Sequence, residues 1–170
     1  MFGLFDYTVY SFLDLSGAIS HPTLKSSYIF TGQGVGQIVV LMATSQTEHN
    51  KSVEGVTLVS KINSTNGKLQ IQCQQTSNIH KWLLFAYNTI NKSENGAADW
   101  AKMAATLRNV CDGTGHTIRG ISFDKVPDKT YASQGGMVVW DLPAAFIDSD
   151  SPNPSNVGSG LLAGLKGLIS

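Results

Sequence analysis

The first two-thirds of the chain is divided into short apolar runs separated by turn residues, which is the pattern of β-strands. This pattern predicts strands over residues 7–14, 28–31, 37–43, 56–59 and 68–74, and further strands over 100–110, 116–125 and 136–142. Residues 37–43 are apolar on both faces, so we expect cover on both sides of that strand. By residue propensity alone, residues 101–107 would suit a helix equally well.

The strand over residues 68–74 has the clearest alternation. Leu69, Ile71 and Cys73 point to one face, and the other face carries Lys68, Gln70, Gln72 and Gln74. Before this strand, Asn66-Gly67 is a dipeptide that suits the positive φ angles of a tight hairpin turn. The sequence therefore predicts a hairpin that leads into a strand with one apolar and one amide-rich face.

A single apolar stripe with helical spacing predicts an α-helix over residues 77–90. The stripe consists of Ile79, Trp82, Leu83, Ala86, Tyr87 and Ile90. Thr76 or Ser77 can cap the first turn of this helix. We expect the stripe to pack on a sheet, which leaves Lys81 and Asn88 on the outer side.

These elements predict a mainly β fold, a β-sandwich or partial β-barrel, with one flanking α-helix near residues 77–90. Residues 1–147 form one β domain in this interpretation. Residues 148–170 form a flexible linker, rich in Ser, Pro, Asn and Gly, and an apolar C-terminal docking segment. That segment would dock on a neighbouring subunit or on its own domain.

Composition narrows the classes of function. Charged residues make up 14% of the chain and apolar residues 42%, whereas an average globular chain has about 25% charged residues. A surface with so few charges favours cover by a further copy of the chain. The 12 basic and 12 acidic residues cancel and the basic ones are scattered, which argues against a protein that grips nucleic acid through its phosphates. No apolar run is long enough to span a bilayer, and the N-terminus lacks the pattern of a signal peptide, so we expect an intracellular chain without a membrane partner.

No catalytic, cofactor-binding or metal-binding constellation emerges from the sequence. The four histidines, His21, His49, His80 and His116, lack the spacing of zinc ligands. The glycine-rich residues 32–36 lack the Lys of a phosphate-binding loop and precede a strand instead of a helix. Asp148 and Asp150 lack the oxygen spacing of a calcium loop. We expect no enzyme activity and no cofactor.

In its first half the chain resembles the tail tube proteins of contractile-tailed bacteriophages. The resemblance is firmest over residues 10–90 and has the character of a fold pattern. It rests on Tyr10-Ser11-Phe12-Leu13-Asp14, Gly34-Val35-Gly36-Gln37-Ile38, Met42-Ala43-Thr44, the polar stretch to Glu54-Gly55, Val59-Ser60-Lys61-Ile62, Asn66-Gly67-Lys68, Gln74-Gln75-Thr76-Ser77 and His80-Lys81-Trp82-Leu83-Leu84.

This resemblance implies a structural subunit of the virion tail that is assembled in the host cytoplasm. Such subunits join into rings, hexameric by expectation, and the rings stack into a hollow tube for DNA ejection. The implied partners are further copies of the chain and the tail sheath, baseplate and tail terminator proteins. DNA would pass through the lumen without specific binding. A related fold builds the inner tube of type VI secretion systems.

The resemblance also suggests three assembly surfaces. The polar stretch with Gln46, Thr47, Glu48, His49, Asn50, Lys51 and Glu54 would reach a neighbouring subunit or ring, although an ordinary solvent-exposed hairpin would have the same sequence. Gln70, Gln72 and Gln74 are candidates for the lumen face, although a polar face toward the sheath would look identical. On the predicted helix, Lys81 and Asn88 would face the sheath.

Other classes of function stay open at the level of sequence, among them an enzyme, for which no catalytic constellation was found. The chain could be a type VI secretion-like inner-tube protein, because the fold is shared. It could also be a stand-alone ligand-binding β-sandwich, which normally presents several exposed aromatic side chains on one face. Trp100, Tyr131 and Trp140 are the only plausible aromatic residues for such a face, and Trp140 lies in a run that looks buried.

Overall fold

The computed structural model describes residues 11–30 and 33–152, which form nine β-strands and two α-helices. A short 3-10 turn, Phe12–Asp14, precedes the first strand. The strands are β1 (Leu15–His21), β2 (Ser26–Ile29), β3 (Val35–Met42), β4 (Thr47–Lys51), β5 (Thr57–Lys61), β6 (Gly67–Gln74), β7 (Met103–Asn109), β8 (Gly115–Ile121) and β9 (Met137–Asp150). The helices are α1 (Asn78–Lys92) and the one-turn α2 (Gly96–Asp99).

Seven of these strands form one curled sheet, a half-barrel, in the order β2-β1-β7-β8-β9-β6-β3. The first and last strands in this order, β2 and β3, are the two edges of the sheet. Because all six neighbouring pairs between them are antiparallel, β2 and β3 run in the same direction. The remaining pair, β4 and β5, forms a separate two-stranded ribbon. The predicted mainly β fold with one main helix is confirmed.

The concave face of the sheet carries the core. On β6, Leu69, Ile71 and Cys73 are fully buried, as their alternation predicts. On the neighbouring β9, Val138, Trp140 and Leu142 point to the same side. Since successive side chains of a strand point to opposite faces, these apolar sets face the core. The intervening residues face outward and are polar on β6, whereas on β9 they include Met137 and Val139.

Helix α1 packs on this concave face, between Ser26 on β2 and Trp140 on β9. Ser77 caps it, because the Ser77 hydroxyl accepts a hydrogen bond from the His80 amide, and the buried stripe includes Ile79, Leu83, Ala86 and Ile90. The half-buried Trp82 donates from Nε1 to the Ser26 hydroxyl on β2 at 3.0 Å. The helix thus connects the sheet edge at β2 with the strands at the centre, and the predicted helix is confirmed.

Aromatic rings next to α1 extend the core. Phe123 contacts Tyr87, Trp100 and Trp140 in edge-on geometry, with ring centroids 5.5 to 6.0 Å apart. Trp140 is fully buried, and its Nε1–H donates to Nδ1 of the buried His80 at 3.1 Å. Trp140 therefore does not belong to an exposed ligand-binding face. Its polar atom is satisfied inside the core.

The prediction of a tight turn at Asn66-Gly67 is wrong. Gly67 has no positive φ angle and is the first residue of β6. A β-carbon at this position would overlap the carbonyl oxygen of Leu41 and lie 2.5 Å from Cδ1 of Ile147. The glycine is needed because β3 and β9 approach its backbone closely, a requirement that arises from tertiary packing and not from turn chemistry.

Strand β3 is an edge strand and is not covered on both sides within the described chain. Leu41 and Met42 are 40% and 46% exposed, and Gln37 is exposed on the outer face. Residues 103–109 form strand β7 and not a helix, because they pair on both sides with β1 and β8. Trp100, which the sequence assigned to that strand, lies at the end of α2.

Strand β9 is seven residues longer than predicted, since it runs from Met137 to Asp150 and the prediction covered residues 136–142. Pro143 lies inside this strand, although a proline has no N–H for the ladder. The Pro143 carbonyl accepts from the Ser122 amide at 2.9 Å, just after the end of β8 at Ile121. Residues 148–150 of the predicted linker belong to the sheet, and residues 153–170 and 1–10 lie outside the described residues.

The Trp140–His80 hydrogen bond predicts a pH-dependent stability. Burial, with the charge of Lys129 as a smaller cause, lowers the pKa of His80. The unfolded chain therefore takes up a proton first, and the free energy of unfolding should fall as the pH drops below about 6.5. His80→Asn keeps an acceptor for Trp140 but does not titrate. Between about pH 7.5 and 5.5 we expect the wild type to lose roughly 1 kcal/mol more than this variant in urea unfolding.

His49→Asn, in the exposed ribbon, is the control for this measurement and should keep the wild-type pH dependence. Parallel stability curves for the wild type and His80→Asn would contradict the assignment of the proton to His80.

Candidate assembly surfaces

The outer face of the sheet brings the three predicted amides together. Gln70, Gln72 and Gln74 lie in a row on the outer side of β6, opposite the buried face. Gln37 on β3 is paired with Gln72, which extends the amide row to the sheet edge. Gln70 donates from Nε2 to Oδ1 of Asp141 on β9 at 2.9 Å. The structure thus places these residues on one face, and their position in a lumen stays a prediction.

The same outer face holds all Lys, Arg, Asp and Glu residues of the seven strands. They are Lys68, Arg108, Arg119, Asp141, Asp148 and Asp150, three positive and three negative. Lys68 lies 3.6 Å from Asp141, and Arg108 lies 3.6 Å from Asp150. Sequence reasoning missed this balanced arrangement, because the residues belong to four strands whose order could not be read from the chain.

The β4–β5 ribbon projects from the β3–β6 pair. The amide of Ala43 donates to the Asn66 carbonyl at 3.0 Å and closes the β3–β6 ladder, so the ribbon is an excursion between two paired residues. Of the predicted interface residues, Thr47, Glu48, His49, Asn50 and Lys51 form β4, Gln46 precedes it and Glu54 lies at the tip. All of them are exposed.

The second half of the ribbon is unusually apolar for an exposed segment. Val53, Val56, Leu58 and Val59 are each at least 59% exposed. The sequence identified residues 56–59 as a strand but gave no sign that the strand lies away from the main sheet. Exposed apolar groups in a cluster are typical of surfaces that contact other proteins.

Helix α1 presents a second exposed surface. Lys81 and Asn88 are exposed, as predicted, and between them Phe85 is 55% exposed. The spacing of four and three residues places all three on one side of the helix. Helix α1 contains two Lys residues, Lys81 and Lys92, and no acidic residue, so this side is basic with an aromatic centre. Phe85 was missed because it is apolar but lies outside the buried stripe.

A family model supplies the deciding comparison. The model of the bacteriophage PhiTE tail tube protein matches residues 7–150, which is most of the chain. The chain belongs to this family of phage tail tube proteins. It is a structural protein and not an enzyme. A search of the curated proteins found no match.

Solved structures share the fold of this tail tube protein at low sequence identity. The cap of the anti-feeding prophage has a TM-score of 0.54 at 7% identity, covering 89% of this chain and 99% of that one. A chain of the PVC extracellular contractile injection system, from its sheath–tube complex, gives 0.50 at 11%, with 84% and 91% covered. A chain of the anti-feeding prophage baseplate gives 0.53 at 12%, with 85% and 97% covered.

The buried polar groups of the tail tube protein hold its fold together. The Thr23 amide donates to Nδ1 of His21, so the proton sits on Nε2, which donates to the Asp99 carbonyl at 2.8 Å. Burial would raise the pKa of Asp99, but hydrogen bonds from Lys102 and Thr23 outweigh it and hold that pKa below its usual value. This cluster joins the β1–β2 turn to α2.

Within residues 11–30 and 33–152, His, Cys, Asp and Glu form no cluster that could hold a metal ion. In the same part of the chain, no helix is both long and apolar enough to cross a membrane.

The separate pairing of the ribbon predicts that the domain folds without it. Replacing residues 45–64 by Asn-Gly would close β3 and β6 with a two-residue turn next to the Ala43–Asn66 hydrogen bond. Because a shorter loop costs less closure entropy, we expect the free energy of unfolding to change by no more than about 1 kcal/mol. Tryptophan fluorescence during urea unfolding measures this. A molten or unfolded variant would show that the ribbon supports the core.

Proposed function

We propose that this tail tube protein assembles into stacked six-membered rings that form the hollow conduit through which the phage genome enters the host. The observation that carries the proposal is the projecting β4–β5 ribbon with its four exposed apolar side chains. The exposed apolar side chains of such a ribbon cost the isolated domain little stability. They bury apolar surface when the ribbon packs on another subunit. The stated likeness to a sheath–tube complex and to a six-fold symmetrised baseplate supports the ring and its number.

The directions of the two sheet edges determine how neighbouring subunits would pair in a ring. A ring needs a heterologous contact, in which one surface of a subunit meets a different surface of the next. Edge β3 of one subunit meeting edge β2 of the next satisfies this condition. Because six successive antiparallel pairings separate β2 from β3, the two edges run in the same direction, and rotation about the tube axis preserves that direction. The junction would therefore be a parallel strand pair.

The outer sheet face is the proposed lumen wall. DNA has to slide along it, and unbalanced Lys or Arg residues would hold its phosphates. Here Gln70, Gln72 and Gln74 offer neutral amides, and the charges of the strands cancel. Lys68 is drawn to Asp141 on its own subunit, which reduces its attraction for a passing phosphate. The face therefore suits passage without specific binding.

Helix α1 is the proposed outer surface of the tube, where a contractile sheath would contact Lys81, Phe85 and Asn88. The helix lies on the opposite side of the sheet from the proposed lumen wall. An aromatic side chain between basic and amide groups is typical of protein contact sites. Baseplate and tail terminator proteins would close the two ends of the tube in the virion tail, after assembly in the host cytoplasm.

Electron microscopy of the purified protein tests self-assembly. We expect rings or tubes from the wild type, and we expect Val59→Asp to reduce the amount of tube at least tenfold, because a buried carboxylate without a partner is costly at an interface. Val59 is 59% exposed in the monomer, so its replacement should leave the monomer folded. Circular dichroism checks the fold.

Val126→Asp is the matched control, since Val126 is also partly exposed, at 37%, but lies in the loop between β8 and β9. It should assemble like the wild type. A chain that stays monomeric at high concentration, also when tail initiation proteins are added, would overturn the proposal. Tubes formed equally well by Val59→Asp would remove the ribbon from the interface.

A second experiment tests the outer surface. Lys81→Glu combined with Phe85→Ser should leave tube formation intact and lower sheath assembly around the tube at least tenfold, because the basic side and its aromatic centre are both lost. Lys25→Glu, in the exposed β1–β2 turn, is the control. Co-sedimentation of sheath protein with preformed tubes gives the readout. Normal sheath binding by the double variant would place the sheath contact elsewhere.

A further inference from the structure

An apolar groove remains on the concave face of the sheet where helix α1 does not reach. Its apolar walls are formed by Phe12 and Leu15 before and at the start of β1, Ile38 and Val40 on β3, and Leu107 on β7. Asn109, Thr114 and His116 line a polar side, and the volume is about 290 Å³. Three strands separate β7 from β3 in the sheet, so the groove exists because the sheet curls. Protein interiors are close-packed, and an open apolar groove of this size at a core leaves contacts unmade.

The described chain ends at the rim of this groove. After β9 ends at Asp150, Pro152 packs against Gly113 in the β7–β8 turn, where a β-carbon on the glycine would lie 3.1 Å from Cγ of Pro152. The next residue of that turn, Thr114, lines the groove. Pro152, the last described residue, therefore lies directly beside the groove.

The chain beyond Pro152 contains a segment whose chemistry matches the groove. Residues 161–169 include Leu161, Leu162, Leu165, Leu168 and Ile169, with Lys166 as the single charge. Residues 153–160 separate this segment from Pro152 and, when extended, span about 26 Å. That length is sufficient to bring the segment back from the rim. An apolar cavity of about 150 Å³ holds a benzene molecule, so the groove has room for about two side chains of Leu size.

We propose that this groove is the docking site of the chain's own C-terminal segment, residues 161–169. The segment covers the part of the concave face that α1 leaves open. Docking also removes an aliphatic segment from solvent. At the other end of the described chain, Phe12 also lines the groove. In the sequence of residues 1–10, however, apolar residues are interspersed with Asp6 and Thr8, and Phe5, Tyr7 and Tyr10 have large rings. The Leu and Ile side chains of residues 161–169 fit the part of the groove formed by Leu15, Ile38, Val40 and Leu107.

Disulfide trapping in the full-length chain tests this docking. The test variant carries Val40→Cys and Leu165→Cys, with Cys111→Ser to remove the exposed native thiol. Cys73 can stay, because it is fully buried and burial raises its pKa, which slows its reaction. The matched control replaces Val40→Cys by Gln37→Cys, on the opposite face of the same strand.

We expect an intramolecular disulfide in the Val40→Cys variant at least tenfold faster than in the control, because docking raises the effective concentration of the two thiols. Non-reducing electrophoresis shows it as a monomer of altered mobility. If Val40→Cys prevents folding, as judged by circular dichroism, Ile38→Cys takes its place. The Ile38 side chain faces the same groove.

Other outcomes overturn the proposal. Equal rates in the test and control variants would mean that the segment does not dock in the groove. A disulfide-linked dimer would mean that it enters the groove of another copy. Faster trapping of a Val9→Cys, Val40→Cys pair than of the Leu165→Cys pair would assign the groove to the N-terminal residues.

Discussion

The structure depends on covering the concave apolar face of β6 and β9. Leu69, Ile71 and Trp140 on these strands have no exposed surface, and helix α1 lies across them. Burying a large side chain of this kind stabilises a fold by about 1.5–3 kcal/mol. The helix is held in place at the β2 edge of the sheet by Trp82 at Ser26, and at the inner strand β9 by His80 at Trp140. Because the two contacts lie on β2 and β9, the curl of the sheet and the position of the helix depend on each other.

This arrangement determines what the opposite face can be. Once the odd positions of β6 are buried, the even positions must point outward, because the side chains of a strand alternate. The core therefore fixes the amide row, and a shift of one residue in the pairing of β6 with β9 would move Gln70 and Gln72 into the core. Packing on one side and surface chemistry on the other are consequences of the same register.

Much of this could be predicted from local patterns. The alternation of β6 and the stripe of α1 each depend on a few neighbouring residues, and both were found. The failures have one cause, which is that they depend on what lies next to a residue in space. Gly67 was interpreted as a turn residue, yet the backbone of β3 requires it. The strand predicted to end at Leu142 continues through Pro143, which lies beside the end of β8, and the sequence does not reveal that neighbour.

The assembly surfaces also divide into features that depend on local sequence and features that depend on neighbours in space. Lys81 and Asn88 could be placed on the outside of a helix from spacing alone, but the exposure of Val53 and Val59 depends on the ribbon leaving the main sheet. The balance of charges on the outer face is likewise a property of strand order. Charges that cancel within a few ångströms produce little field beyond about 10 Å at moderate salt. If the outer face is the lumen wall, as proposed, the pairs Lys68–Asp141 and Arg108–Asp150 would therefore offer a passing charged polymer little attraction.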